Sequence, residues 1–110
     1  MAKNKLVGIV ACPGRVRGKI YKIEDLITLA APKKGAIVVA RFTTPPIALA
    51  LAAAEGIICE TGGVTSHAAL IAREFGKPCL VGVTGALAAL AEGQEVILDA
   101  DAGEVYETER

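Results

Sequence analysis

One segment near the middle of the chain joins a short apolar run to a helical pattern through a pair of glycines. The apolar run, Gly56–Cys59, predicts a buried strand. Gly62 and Gly63 then turn the chain, and Ala68–Phe75 carries apolar residues at helical spacing until Gly76 stops the helix. A strand, a glycine turn and a helix in this order constrain the chain to an α/β fold, and we predict a mixed sheet.

The helical pattern also predicts which side chains face the core. Ala68, Ile71, Ala72 and Phe75 follow the i, i+3, i+4, i+7 spacing and are expected to be buried, whereas Arg73 and Glu74 fall off this stripe and should be exposed.

Short strand-like and helix-like pieces alternate through the rest of the chain. The predicted strands are Leu6–Ala11, Lys19–Ile23, Ala36–Ala40, Cys79–Val83, Glu95–Leu98 and Glu104–Tyr106. The first two are expected to pair as a hairpin around Pro13-Gly14. The further predicted helices are Pro46–Glu55, which is apolar nearly all round, and Gly85–Leu90. A helix like Pro46–Glu55 is typically buried on more than one side or packed against another domain.

Length and composition set limits on function. A chain of 110 residues has room for a single core, so we expect one domain over residues 1–110. Twelve basic residues balance twelve acidic ones, which removes the electrostatic case for nucleic acid or an anionic membrane as a partner. No targeting signal or membrane-spanning run is visible. Three scattered cysteines without a paired motif predict buried, reduced thiols in a cytoplasmic protein and no metal site.

One row of basic residues needs its own interpretation. Arg15, Arg17 and Lys19 alternate, so an extended strand would place them on one face. A solvated face is the simplest interpretation, and a docking surface for a partner or for phosphate is the alternative.

The residues before the central helix suggest an anion site. His67 is the only histidine in the chain and follows Gly62, Gly63, Thr65 and Ser66. Glycines let backbone N–H groups approach an anion, hydroxyl side chains cap helices, and the first turn of a helix favours negative charge. We expect Thr65 to be the N-cap, with Ser66 and His67 in the first two helical positions. His67 is therefore a candidate nucleophile or proton carrier.

The longer string GGVTSHAALIAREFGKPCLVG resembles the phosphohistidine segment of the phosphoenolpyruvate-utilising enzymes, which include pyruvate phosphate dikinase, phosphoenolpyruvate synthase and Enzyme I of the sugar phosphotransferase system. The stretches GIVACPGRVRGKIYKI, AIVVARFTTPP and EGQEVILDADAGEVYE are similar to other parts of the same family's mobile domain. Two residues depart from the family pattern, Pro46 in place of a common acidic residue and Cys79 in place of a small alanine.

The resemblance implies a three-layer β/β/α swivelling fold in which His67 carries phosphate between two distant active sites. Gly62, Gly63, Thr65 and Ser66 would support the phosphate. A nucleotide-binding and a phosphoenolpyruvate-binding domain or subunit would be the partners. Magnesium with phosphoenolpyruvate or ATP is expected on those partners, and no cofactor is expected on this chain itself.

Phosphoryl transfer also needs groups that neutralise charge on the transferred oxygens, and this chain offers few. Arg73 is the nearest arginine in sequence and a candidate to support the phosphate. It lies six positions, about 240°, round the helix from His67, which favours a solvated or interdomain role. Asp99 and Asp101 are interpreted as turn residues. We therefore expect a carrier that is inactive alone. The alternatives are a binding or regulatory module that retains the scaffold, and a stand-alone phosphatase or transferase.

Overall fold

The structure is a computed structural model that describes residues 5–23, 35–41, 51, 53–63 and 65–108. The eight strands of these residues are Lys5–Val7 (β1), Ile9–Cys12 (β2), Arg15–Ile23 (β3), Ala36–Ala40 (β4), Gly56–Cys59 (β5), Cys79–Val81 (β6), Glu95–Asp99 (β7) and Glu104–Glu107 (β8). The helices with described bounds are His67–Phe75 (α1) and Ala86–Ala89 (α2).

All eight strands belong to one sheet with the order β1-β8-β7-β3-β4-β5-β6-β2. The pairs β3–β4, β4–β5 and β5–β6 are parallel, while β2–β6, β3–β7, β7–β8 and β1–β8 are antiparallel. The mixed sheet confirms the predicted α/β class. Helix α1 follows β5 and precedes β6 in the predicted order, and these two strands are parallel.

The sheet folds over on itself. Its two end strands, β1 and β2, are consecutive in the chain and are separated only by Gly8, whose N–H donates to the carbonyl of Gly103 at 3.0 Å. Gly56 of β5 also faces β7, because a Cβ built on Gly56 would lie 2.7 Å from Leu98 Cδ2. Strands three places apart in the sheet can meet in this way only if the sheet curls into two facing layers.

Two core clusters fill the spaces on either side of the parallel strands. One lies under α1 and contains the buried residues Ala11, Ile23, Val38, Ala40, Leu51, Ala54, Ile57, Cys59, Ala68, Ala69, Ala72, Cys79 and Val81. The other lies between the two halves of the sheet and contains Ile20, Ile37, Val39, Ile58, Leu80, Val83, Ala86, Leu90, Val96, Leu98, Ala100 and Val105. Because alternate residues of β4 and β5 enter opposite clusters, these strands are buried on both faces. The arrangement is the three-layer β/β/α fold.

The predicted first hairpin is wrong. Leu6–Ala11 is not one strand: β1 ends and β2 begins on either side of Gly8, and neither pairs with β3. The break requires glycine, since a Cβ at Gly8 would lie 2.5 Å from Val83 Cγ2 and 2.9 Å from the carbonyl oxygen of Val81. Strand β3 instead runs over nine residues and pairs with β4 and β7.

The other predicted elements agree more closely with the structure. Most of Pro46–Glu55 lies outside the described residues, but Leu51 and Ala53 are helical and Leu51 is fully buried. The predicted strand Cys79–Val83 stops at Val81, and Gly85–Leu90 contains the short helix α2. Strands β7 and β8 form the expected closing antiparallel pair.

Two of the three basic residues on β3, Arg15 and Arg17, contact polar side chains of neighbouring strands. The guanidinium of Arg15 donates to the Tyr106 hydroxyl at 2.9 Å, a hydrogen bond that raises the pKa of Arg15, and Arg17 Nε lies 2.8 Å from Glu95 Oε2. Both arginine side chains are more than half exposed. These contacts favour the solvated-face interpretation over a phosphate-docking surface.

The three cysteines are free, with Cys59 and Cys79 buried and Cys12 only half-buried, so full burial was wrong for Cys12. In the described part of the chain, no helix is both long and apolar enough to cross a bilayer.

Candidate functional site

The loop that carries His67 lies at the carboxyl edge of the parallel strands. It leaves the end of β5, passes through Gly62 and Gly63, and enters α1 at His67. Functional groups in α/β proteins commonly lie at this edge, because the loops that follow parallel strands converge there. The strand order therefore puts the only imidazole of the chain where a ligand or a partner can approach it.

The start of this loop is fixed by hydrogen bonds to the end of β4. The N–H and the Oγ1 of Thr61 both donate to the main-chain oxygen of Arg41, at 3.0 and 2.8 Å. Glu60 is held as well, since its Oε2 accepts the N–H of Leu87 at 2.7 Å. Sequence reasoning assigned no role to Thr61, Glu60 or Arg41, because their partners are distant in the sequence. Together these hydrogen bonds attach the residues before the glycine turn to the end of β4 and to α2.

The turn places Gly62, and not Gly63, in a left-handed backbone conformation. Gly62 has φ of 101°, and a Cβ there would lie 2.9 Å from the Cβ of Ser66. Gly63 has no φ in the left-handed range and open space around its Cβ direction. The backbone conformation therefore requires glycine at position 62, while the role of Gly63 in close approach to a phosphate stays a prediction.

The N-cap of α1 is Ser66 and not Thr65. Ser66 has extended backbone angles (φ −70°, ψ 166°), and its Oγ accepts the N–H of Ala69 at 3.4 Å. Its own N–H donates to the Gly63 oxygen at 3.0 Å, which closes the turn one residue later than predicted. Thr65 lies in this turn with an exposed side chain. The shift makes His67 the first residue of the helix.

His67 is thus the first residue of α1, and the N-terminus of a helix is the part that favours an anion. The N–H groups of the first helical residues have no partner inside the helix, and the dipole of the helix adds positive potential there. Ser66 Oγ accepts the N–H of Ala69. His67 is half-buried, so part of the residue is open to solvent.

Helix α1 packs against the sheet through small side chains. Ala68, Ala69 and Ala72 are fully buried and Ile71 is half-buried. Phe75, predicted to face the core, is 50% exposed. The buried face is centred on the three alanines, which allow the helix to lie close to the sheet, and Phe75 lies in the last turn beyond this contact.

Arg73 is exposed, as predicted, but it is held by the sheet and not by the imidazole. Its Nε donates to the main-chain oxygen of Ala11 at 2.9 Å. Six residues separate Arg73 from His67, which is about 9 Å along the helix axis. The structure does not bring this candidate phosphate ligand to the start of the helix.

The aspartates of the closing turn behave as turn residues. Asp99 Oδ1 accepts the N–H of Ala102 at 3.2 Å, and Asp101 Oδ1 accepts the N–H of Gly14 at 2.9 Å. Over residues 5–23, 35–41, 51, 53–63 and 65–108, no group of three histidine, cysteine or acidic side chains is arranged to hold a metal ion.

Comparison with known proteins agrees with this architecture. The sequence model of the family described as "PEP-utilising enzyme, mobile domain" matches residues 32–103. A probable phosphoenolpyruvate synthase of Methanothermobacter thermautotrophicus is 42% identical over 100 residues, which is 91% of this chain and 15% of that protein. The phosphoenolpyruvate synthase of Pyrococcus furiosus is 39% identical over 101 residues, 92% of this chain and 12% of the relative. The chain therefore spans only 12–15% of the length of these relatives.

Two solved structures have a similar fold. An Enzyme I solution structure superposes with a TM-score of 0.63 and 28% identity, over 76% of this chain and 34% of that one. The holo-form of aconitase X from Thermococcus kodakaraensis has a TM-score of 0.72 at 20% identity, over 96% of this chain and 99% of the other. At that identity the second similarity concerns the fold alone.

Proposed function

The chain belongs to the mobile-domain family of the phosphoenolpyruvate-utilising enzymes, and from that premise we propose that it is a phosphoryl carrier whose His67 is transiently phosphorylated. One observation carries the proposal: the only histidine of the chain is the first residue of α1, directly after the Gly62 turn at the carboxyl edge of the parallel strands.

In the proposed step, a neutral imidazole nitrogen of His67 attacks the phosphorus of a donor phosphate. The P–N bond forms while the P–O bond to the donor breaks, and the leaving oxygen departs with the bonding electron pair. In the return step an acceptor oxygen attacks phosphorus, and the P–N electron pair goes back to the imidazole. The first-turn N–H groups and the helix dipole would stabilise the phosphate by about 0.3–1 kcal/mol per exposed charge.

The rest of the chemistry is assigned to partners. Relatives such as the synthases above are much longer than this chain, which supports a carrier that works with other domains or subunits. We propose that a nucleotide-binding partner and a phosphoenolpyruvate-binding partner, located with this chain in the cytoplasm, supply magnesium, donor and acceptor. In this proposal the chain itself binds no metal or nucleotide.

Labelling tests the proposal. The purified chain is incubated with radiolabelled phosphoenolpyruvate and magnesium, with and without the phosphoenolpyruvate-binding domain of a related synthase. Label is expected only with the partner, and it should be acid-labile and alkali-stable, as a P–N bond is, and absent from His67→Ala. Acid-stable label, or label that persists in His67→Ala, contradicts the proposal.

The same experiment separates the alternatives. Robust turnover by the chain alone would identify a stand-alone enzyme. Failure of phosphoenolpyruvate-binding and nucleotide-binding partners to label His67 would favour a binding or regulatory module.

A further inference from the structure

Two of the three cysteines lie directly opposite each other in neighbouring strands. Cys12 of β2 and Cys79 of β6 are partners in an antiparallel pair. Both side chains lie on the α1 side of the sheet, since Cys79 belongs to the buried cluster under that helix and Cys12 packs against the same cluster. Opposite residues of antiparallel strands have Cα atoms about 4.5–5.5 Å apart. Disulfides span Cα separations of about 4.4–6.8 Å, so the strand pairing places these two thiols at disulfide spacing.

The backbone at Cys12 has room to adjust. Strand β2 is the last strand in the sheet order, so β6 is its neighbour on one side and the described sheet does not continue on the other. The register also shifts between Val10 and Cys12, which leaves Ala11 as an extra residue beside the pair. A strand bends at such an irregularity. A small movement of Cys12 towards Cys79 therefore does not have to displace a further strand.

The third thiol, Cys59, is less suited as a partner of Cys79. The residue of β5 that pairs with Cys79 is Ile57, so Cys59 lies two residues further along its strand. That offset of about 6.6 Å along the strand, together with a strand separation of about 4.8 Å, puts the two Cα atoms roughly 8 Å apart. Cα atoms more than about 7 Å apart cannot be bridged without backbone movement.

Burial and charge give Cys12 and Cys79 different roles. Cys12 is only half-buried and is the thiol that a small solute can reach, whereas Cys79 is fully buried. Burial, followed by the neighbouring thiols of Cys59 and Cys12, raises the pKa of Cys79 to about 12, and the Arg73 guanidinium opposes this shift. A thiol of raised pKa is ionised less often, but its thiolate is the stronger nucleophile. Because Cys79 is already in place beside Cys12, it is suited to a second, intramolecular step.

We propose that Cys12 and Cys79 form a redox site at which a hydroperoxide oxidises the two thiols to a reversible disulfide. The Sγ of Cys12 attacks the terminal peroxide oxygen, the O–O bond breaks, and the leaving oxygen takes the thiol proton, which gives a sulfenic acid on Cys12. The Sγ of Cys79 then attacks the Cys12 sulfur, the S–O bond breaks, and water leaves with the second proton. Two thiols lose two electrons in total, and the hydroperoxide is reduced to an alcohol, or to water when it is hydrogen peroxide, and one further water. A dithiol reductant reverses the reaction by two thiol–disulfide exchanges.

Peptide mapping of the oxidised chain tests this site. The reduced full chain is treated with hydrogen peroxide at pH 8, the remaining thiols are blocked with N-ethylmaleimide in denaturant, and the peptides are identified by mass spectrometry. A Cys12–Cys79 disulfide within one chain is expected, with Cys59 blocked as a free thiol and complete reversal by dithiothreitol. The oxidised chain should melt about 10 °C higher than the reduced chain, because the bond closes a long loop of the unfolded chain.

Single cysteine variants separate the two steps. In Cys79→Ala the sulfenic acid on Cys12 has no partner thiol, so its labelling by dimedone should be about tenfold greater than in the wild type. Cys12→Ser should form no disulfide. Cys59→Ala is the matched control, since it removes a buried thiol from the same cluster, and it should form the disulfide as the wild type does.

Four results overturn the proposal. They are a disulfide that contains Cys59, a disulfide that joins two chains on a non-reducing gel, a wild-type chain in which no Cys12–Cys79 disulfide forms, and an oxidised chain whose melting temperature is unchanged or lower. Equal dimedone labelling of the wild type and Cys79→Ala would likewise show that Cys79 does not react with Cys12.

Discussion

Arg73 Nε donates a hydrogen bond of 2.9 Å to the main-chain oxygen of Ala11, which ties the last turn of α1 to β2. The tie falls at an irregularity of the sheet, because the β2–β6 register shifts between Val10 and Cys12. A charged side chain thus satisfies a carbonyl where the ladder is irregular, and it fixes the helix that carries His67.

Removal of this tie should destabilise the domain. Arg73→Ala is expected to lower the free energy of unfolding by about 1–2 kcal/mol, since the bond is charge-assisted but partly exposed to solvent. Arg73→Lys should recover little of this loss because lysine lacks the planar guanidinium. Urea denaturation gives the values. Glu74→Ala, at the exposed neighbouring position, is the control, and equal stability of Arg73→Ala and Glu74→Ala would show that the tie is unimportant.

The cap assignment can be tested by a pair of adjacent substitutions. Ser66→Ala should lower the free energy of unfolding by about 1 kcal/mol through loss of the acceptor for the Ala69 N–H. Thr65→Ala should change it by less than about 0.5 kcal/mol, as is usual for exposed residues. Thermal denaturation of the two variants measures both effects. A larger loss of stability in Thr65→Ala than in Ser66→Ala would indicate that Thr65 is the N-cap.

Substitution by alanine should change the stability of the protein by different amounts at Gly62 and Gly63. Gly62→Ala forces a side chain into a left-handed backbone conformation and against Ser66, which should cost about 1–3 kcal/mol. Gly63→Ala meets open space and should fold with wild-type stability. Chemical denaturation of both variants provides the measurement. Normal stability of Gly62→Ala would contradict the strained turn.

Stability should depend on pH through a buried thiol. Burial raises the pKa of Cys79 from 9.0 to about 12. Below pH about 9 the thiol is neutral in both states and its stabilising contribution is fully present. As the pH rises from about 9 towards 12, the unfolded thiol ionises first, so the unfolded state binds fewer protons and the free energy of unfolding falls, by about 1 kcal/mol at pH 10.

Urea denaturation at pH 8 and pH 10 measures this loss, and Cys79→Ala is the control for the titration of other groups. The wild type should lose more stability than Cys79→Ala between the two pH values. Identical losses would show that Cys79 is not protected from ionisation in the folded state.

The central strand–turn–helix unit of the protein could be predicted from the sequence. The apolar run of β5, the glycine turn and the helical spacing after His67 are local signals, and they predicted β5, α1 and the position of the imidazole at the helix start. The closing strands β7 and β8 were predicted for the same reason, since their alternation and the turn between them are local. The role of His67 as phosphate carrier stays a prediction.

The pairing of the strands and the contacts of the site depend on segments that are distant in the sequence, so they could not be predicted from local patterns. Nothing local in Leu6–Ala11 indicates that Gly8 divides it between the two ends of a folded sheet, because partners from the far end of the chain determine that break. The same holds for the tie between Arg73 and Ala11 and for the exposure of Phe75. The spacing of hydrophobic residues is a property of residues that are close in the sequence. Strand pairing and burial depend instead on how distant segments pack into one core.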